Sequence, residues 1–180
     1  EVSVRAILFR IVACIFLTIP LAAQEREEYY VQETDPLVLA KLAHWQDCRL
    51  GLLMHWGTYS QWGIVESWSI CAEDEGWCQR SGPYADDYDK YKIAYEGLKK
   101  SFNPVKFNPD LWAAAASEAG MKYVIFTMKH HDGFCMFDAP GTDYKITNTP
   151  YGRDVCLELA QACAKAGMPL GFYYSPPDMH

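Results

Sequence analysis

Strands alternating with helices predict an α/β protein with a parallel sheet, and three observations carry the prediction. Three helix-then-strand units follow one another along the chain. Ala119-Gly120-Met121 recurs as Ala166-Gly167-Met168 at the same place in successive units. Each strand ends in polar or aromatic residues, as strands do when their C-terminal ends gather at one rim. A doubly wound sheet shares the alternation, but the sequence holds no G-x-G-x-x-G turn and no phosphate-binding loop. The expectation is an N-terminal fragment of a (β/α)8 TIM-type barrel, a fold that takes roughly 250 residues when complete.

The N-terminus reads first as a targeting segment. Arg5 and Arg10 precede the apolar run Ile11 to Leu21, and Ala22-Ala23 supply small residues for cleavage. That order fits a secretory signal peptide over residues 1–23, and the run is too short for a membrane span. The competing reading is a buried N-terminal helix. Residues 24–180 are then the barrel part, in a secreted, periplasmic or lysosome-like compartment with no stable membrane insertion.

The first barrel helix is expected from Asp35-Pro36, with Asp as cap and Pro at the first helical position, to about Cys48. A strand near Leu50 to Met54 follows. The second helix starts at Asn108-Pro109-Asp110 and is closed by Gly120. Its strand, Met121 to Met128, is apolar and rich in β-branched and aromatic residues. The third helix begins near Arg153-Asp154 and ends at Gly167, and Pro169 to Ser175 is its strand. Between the first and second units lies a long polar segment, Ser60 to Phe107, with a short helix expected within 86–100. An insertion placed after a strand builds one wall of a binding site.

Composition narrows the function. Half of the 180 residues are apolar and 14% are aromatic, enough for one ordinary core. Net charge is −7, and −8 without residues 1–23, with no basic cluster in the remainder. Nucleic acid is therefore not an expected partner. Of seven cysteines, Cys71 and Cys78 flank an acidic loop and are placed to close a small disulfide in an oxidising compartment. Cys156 and Cys163 lie two helical turns apart, about 10 Å, too far to bridge. With Cys135 they read as buried thiols. No spacing has the paired form of a structural zinc site.

Two strand ends carry the candidate chemistry. Met54-His55-Trp56-Gly57 closes the first strand, and Lys129-His130-His131-Asp132-Gly133-Phe134 closes the second. A neutral imidazole offers one donor and one acceptor, so His55, His130 and His131 suit the hydroxyls of a sugar. Trp56 and Trp68 supply flat apolar surface. Glu66, between Trp62 and Trp68, is placed to accept hydrogen bonds or assist proton transfer. Adjacent strand residues point to opposite faces, so His130 and His131 diverge unless the strand has already ended. A three-histidine metal site competes, but adjacent histidines converge on one ion only at a sharp turn. Asp132 is read as orienting a histidine or capping a turn, and Arg153 and Asp154 as helix-start contacts or an ion pair.

At these residues the chain resembles the α-L-fucosidase family of retaining glycoside hydrolases. The resemblance runs through Gly51-Leu52-Leu53-Met54-His55-Trp56-Gly57-Thr58-Tyr59-Ser60, Glu66-Ser67-Trp68 and Tyr84-Ala85. It continues through Phe107 to Trp112, Met121 to Phe134, Thr149-Pro150 with Arg153-Asp154, and Gly171 to Ser175. It implies hydrolysis of terminal α-linked L-fucose with retained configuration and no cofactor or metal. The implied partners are fucosylated oligosaccharides or glycoconjugates. It further implies that His55, Glu66, Trp68, His130, His131 and one of Tyr173 and Tyr174, with Tyr174 chosen, line a fucose pocket. In many members the Glu and Trp are adjacent, and Ser67 separating them resembles the branch acting on α-1,3/1,4-linked fucose. The resemblance places the nucleophile and the acid/base carboxylate beyond His180, with Glu66 at most an auxiliary, so the fragment alone is expected to be inactive. Rival readings are a non-catalytic fucose-binding protein on this scaffold and a metal-dependent hydrolase.

Overall fold

A computed structural model describes residues 31–180 apart from 73–75 and 77. The expected signal segment, residues 1–23, lies outside the described residues. The chain divides into two units, residues 1–40 and Lys41–His180. Helix α1, Pro36–Cys48, starts in the first unit and ends in the second. Its start is capped as expected, with Asp35 Oδ1 accepting from the Leu37 amide at 2.8 Å.

The second unit holds strand β1 (Leu52–Met54), helix α2 (Tyr88–Glu96), helix α3 (Pro109–Glu118), strand β2 (Val124–Lys129), helix α4 (Val155–Lys165) and strand β3 (Leu170–Tyr174). The three strands are parallel and lie in chain order, β1-β2-β3. Leu53 pairs with Ile125, and Ile125 with Gly171. The described residues thus form an open three-stranded parallel sheet, not a closed cylinder.

Local chemistry explains the repeat. Asn108 caps α3 by accepting from the Leu111 amide at 3.1 Å, and Asp154 caps α4 by accepting from the Leu157 amide at 2.8 Å. Gly120 and Gly167 take φ of +79° and +64°, which ends each helix in a left-handed turn. The Met121 amide then donates back to the Ala116 carbonyl, and the Met168 amide to the Cys163 carbonyl. The recurring Ala-Gly-Met is therefore a helix stop that turns the chain directly into the next strand.

The core lies between the sheet and the α3–α4 pair. Leu52, Met54, Met128 and Leu170 pack against the fully buried Val124, Phe126, Val155 and Leu159. Helix α2 packs separately through Tyr91 and Tyr95, with Tyr59, Ile70 and Leu98. The helix expected within 86–100 is α-helical only to Glu96 and tightens into a 3-10 turn over Gly97–Lys100, where glycine has poor helical propensity. Cys71 and Cys78 are not bridged to each other, so the expected disulfide is not made. Cys135, Cys156 and Cys163 are buried thiols. Among the described residues no helix is long and apolar enough to cross a membrane.

Asp154 does more than cap α4, because its Oδ2 also accepts from the Asp138 amide at 2.9 Å. Asp154→Ala is expected to cost about 1–2 kcal/mol, measurable as a lowered urea midpoint. An unchanged midpoint would show that the cap contributes nothing.

Candidate active site

Strand alternation decides which residues meet. His55 lies two residues beyond Leu53, and Thr127 two beyond Ile125, its partner. Tyr173 pairs with Thr127. One face of the sheet therefore carries His55, Thr127 and Tyr173 at its C-terminal edge. Oγ1 of Thr127 and Nδ1 of His55 are hydrogen-bonded at 2.9 Å. The His55 ring stands edge-on to Tyr173, with centroids 5.4 Å apart.

Strand β2 ends at Lys129, so His130 and His131 sit in the turn that follows it. Their rings do not diverge; the centroids are 4.3 Å apart. His130 also lies 5.4 Å from His55 and stacks on Tyr173 at 6.0 Å. Hydroxyls hold both rings by Nδ1, Ser67 bonding His130 and Ser175 bonding His131. Trp68 is edge-on to His131 at 4.7 Å and to His130 at 6.2 Å. Tyr59 completes the ring at 6.2 Å from His130.

The turn is fixed from beneath. Asp132 is buried, accepting from the Tyr95 hydroxyl at 2.7 Å and from the Phe134 amide at 3.2 Å. It thus caps the turn, one of the two roles expected of it. The Lys129 ammonium is buried and donates to the Ser175 and Pro177 carbonyls at 3.0 and 3.1 Å. It pairs with Asp178 at 3.3 Å. Lys129 and Ser175 together tie the end of β2 to the segment after β3, and that segment holds His131.

The electrostatics favour neutral rings. Burial, helped by the neighbouring His131, His55 and Lys129, pushes His130 down to about 4. Burial and then Lys129 also lower His131, with Glu66 opposing. Burial raises Asp132 to about 6 against the bonds it accepts from Tyr95 and Phe134. Tyr59 is driven above its usual range, first by burial and then by Asp132 and Glu66. Glu66 therefore acts electrostatically on both Tyr59 and His131. It is half-buried and takes a φ of +39°, a left-handed conformation that non-glycine residues adopt at a cost and that concentrates at functional sites.

Of the residues singled out in the sequence, His55, Trp68, His130 and His131 come together, with Glu66 close enough to act on His131. Two do not join them. Trp56 lies two residues past Met54, on the helix-facing side, and packs between Phe102, Phe107, Trp112 and Phe126 at 5.3–6.3 Å. It is a core residue. Tyr174 is 53% exposed, with its ring facing the Lys129 ammonium at 5.2 Å. Tyr173, its neighbour, holds the place beside the histidines. Arg153 forms an ion pair near the helix start, with Glu158 at 2.8 Å.

Ser67, Thr127 and Ser175 were not singled out for a role at the site. Thr127 had a signal, a lone hydroxyl within Val-Ile-Phe-Thr-Met-Lys. Ser175 had another, falling two residues past Tyr173. A groove of about 480 Å³ lined by Trp62, Pro83, Tyr84 and Tyr91 lies elsewhere, and none of the three histidines lines it. Among the described residues, no group of three or more His, Cys, Asp or Glu side chains is arranged to hold a metal ion.

Comparison with known proteins gives concordant matches. The family model described as Alpha-L-fucosidase matches residues 17–180. Alpha-L-fucosidase 1 of Arabidopsis thaliana is 43% identical over 82 residues, covering 44% of this chain and 16% of the plant protein. The structure of alpha-L-fucosidase isoenzyme 1 from Paenibacillus thiaminolyticus is 40% identical with a TM-score of 0.62, covering 78% of this chain and 30% of that one. A GH29 alpha-L-fucosidase from Bacteroides thetaiotaomicron, trapped as a covalent intermediate with 2-fluoro-fucosyl fluoride, is 33% identical with a TM-score of 0.63. That match covers 82% of this chain and 32% of the bacterial one. The chain spans less than a third of the length of each of these three proteins.

Proposed function

The chain belongs to the α-L-fucosidase family, and from that premise we propose that its histidine cluster is the fucose-binding half of a retaining glycosidase site. The observation that carries the reading is the meeting of His55, His130 and His131 at the C-terminal ends of adjacent parallel strands. That edge is where barrels of this class gather their chemistry. Fucose is a neutral deoxy sugar with three ring hydroxyls and a methyl group. Neutral imidazoles meet its hydroxyls without a charge to desolvate, and the depressed titration of His130 and His131 keeps them neutral at pH 7. Trp68 and Tyr173 supply the apolar surface that a methyl group and ring C–H bonds need. Glu66 accepts from sugar hydroxyls.

Retention requires two carboxyl groups about 5–5.5 Å apart, one to attack the anomeric carbon and one to protonate the leaving oxygen and then activate water. The Bacteroides relative trapped as a covalent intermediate supports this two-step course. We place both carboxylates in the part of the family's length that these residues do not span, with the strands closed into a (β/α)8 barrel. The binding half contributes interactions that strengthen as charge develops on the sugar ring. The substrates are fucosylated oligosaccharides or glycoconjugates, met in a secreted, periplasmic or lysosome-like compartment.

His131→Ala tests the reading with little risk to the fold, since His131 is only half-buried. One lost hydrogen bond is worth about 1–1.5 kcal/mol, so L-fucose affinity should fall by roughly tenfold. Calorimetric titration of wild type and variant measures it. Equal affinities would remove His131 from the sugar site.

A further inference from the structure

We infer that buried hydroxyls hold all three histidines of the cluster in the Nε2–H form, so that the site presents three N–H donors and no imidazole acceptor. The inference deepens the fucose reading, and rests on it only for what those donors meet.

A neutral imidazole carries its proton on one nitrogen and accepts at the other. Which nitrogen is set by the bond the ring makes with its scaffold. Here each scaffold bond runs from Nδ1 to a hydroxyl: Thr127 for His55, Ser67 for His130, Ser175 for His131. Thr127, Ser67 and Ser175 are all at most 1% exposed. Among the described residues, each hydroxyl oxygen makes that one hydrogen bond only.

The choice of direction follows from counting protons. If Nδ1 carried the hydrogen and donated, the hydroxyl would keep its own proton buried with no acceptor, an uncompensated desolvation. If the hydroxyl donates, one bond satisfies both groups. The proton of the ring then sits on Nε2, on the side away from the scaffold. Among the described residues no Nε2 of the three has a hydrogen-bond partner of its own.

This divides labour in the site. A ligand oxygen opposite any of the three rings must accept, and its own proton must pass to another group. Glu66 is the carboxylate whose charge reaches His131. The histidines act as donors and Glu66 as the acceptor, a pattern that suits a polyhydroxylated neutral ligand and rejects an ammonium group opposite the rings.

Long-range 1H–15N correlation spectra of the 180-residue chain read the tautomers directly. At about pH 8, above the ordinary imidazole range near 6.5, all three rings should show a protonated Nε2 and an unprotonated Nδ1. Any one of them in a majority Nδ1–H form would overturn the inference. Ser67→Ala should change the nitrogen shifts of His130, and Thr127→Val those of His55. Wild-type shifts in both variants would likewise overturn it. Added L-fucose should move the Nε2–H signals. If the tautomers are as stated but fucose moves nothing, the sugar reading fails while the hydroxyl assignment stands.

Discussion

Gly133→Ala should destabilise the chain by about 2–4 kcal/mol, the sum of a left-handed backbone penalty and a broken polar contact. Gly133 takes a φ of +76°, which an L side chain adopts only with strain. An added Cβ would also lie 2.5 Å from Asp178 Oδ1 and 2.9 Å from His180 Cβ. Asp178 is half-exposed and able to move, but moving it separates its carboxylate from Lys129, a residue only 4% exposed. The same segment accounts for two grips on His131: the Met179 amide donates to its carbonyl at 2.6 Å, and Ser175 bonds its Nδ1. The substitution should therefore lower fucose affinity together with the urea midpoint. A loss below about 1 kcal/mol would show that the segment after β3 is not docked on this turn.

The second large effect is a pair of opposed pH dependences. His130 titrates near 4 when folded, against an ordinary 6.5, so it binds fewer protons folded than unfolded between those values. Its contribution to stability is present above pH 6.5 and is lost as pH falls through about 4. Asp132 behaves oppositely. Its folded value is about 6 against an ordinary 3.8, so its contribution is present below 3.8 and is lost as pH rises through 6. Each shift corresponds to about 3 kcal/mol. Between pH 4 and 6 the two nearly cancel in the wild type, with the lowered His131 adding to the His130 side.

Asp132→Asn removes one of the opposed slopes and keeps an acceptor for Tyr95 or Phe134. Relative to wild type, the variant should gain about 3 kcal/mol in going from pH 4 to pH 6. Urea denaturation at several pH values gives the difference profile, in which every other carboxylate cancels. Parallel wild-type and variant profiles would show that Asp132 is not buried as a charge.

Much of this arrangement was legible locally. Asp35, Asn108 and Asp154 announce helix starts because a short side-chain acceptor satisfies an amide within three residues. Gly120 and Gly167 announce stops because only a left-handed turn closes the last carbonyls. Such signals lie within a few residues of what they decide. The histidine cluster was legible as two strand ends carrying polar groups, since parallel strands in chain order share one C-terminal edge.

What escaped depends on partners far along the chain. Ser67 meets His130 across 63 residues, Thr127 meets His55 across 72, and Ser175 meets His131 across 44. No local pattern marks a serine as the support of a distant ring. Trp56 and Tyr174 are different, because each lies beside a residue that does join the cluster. Trp56 continues the Leu52 and Met54 face into the core, and Tyr173 continues the Gly171 face that meets Thr127. Alternation counted from the paired residues decides both, but the pairing itself is a tertiary fact. Lys129 was read only as part of a motif; its burial under two carbonyls and Asp178 comes from a segment 46–49 residues later.

The structure of this chain with L-fucose bound tests the central claim most directly. Sugar oxygens should lie within hydrogen-bond distance of Nε2 of His55, His130 and His131, with Trp68 or Tyr173 against the methyl group. L-fucose seated instead in the groove between Trp62 and Tyr84, or bound with no contact to the three imidazoles, would contradict the account.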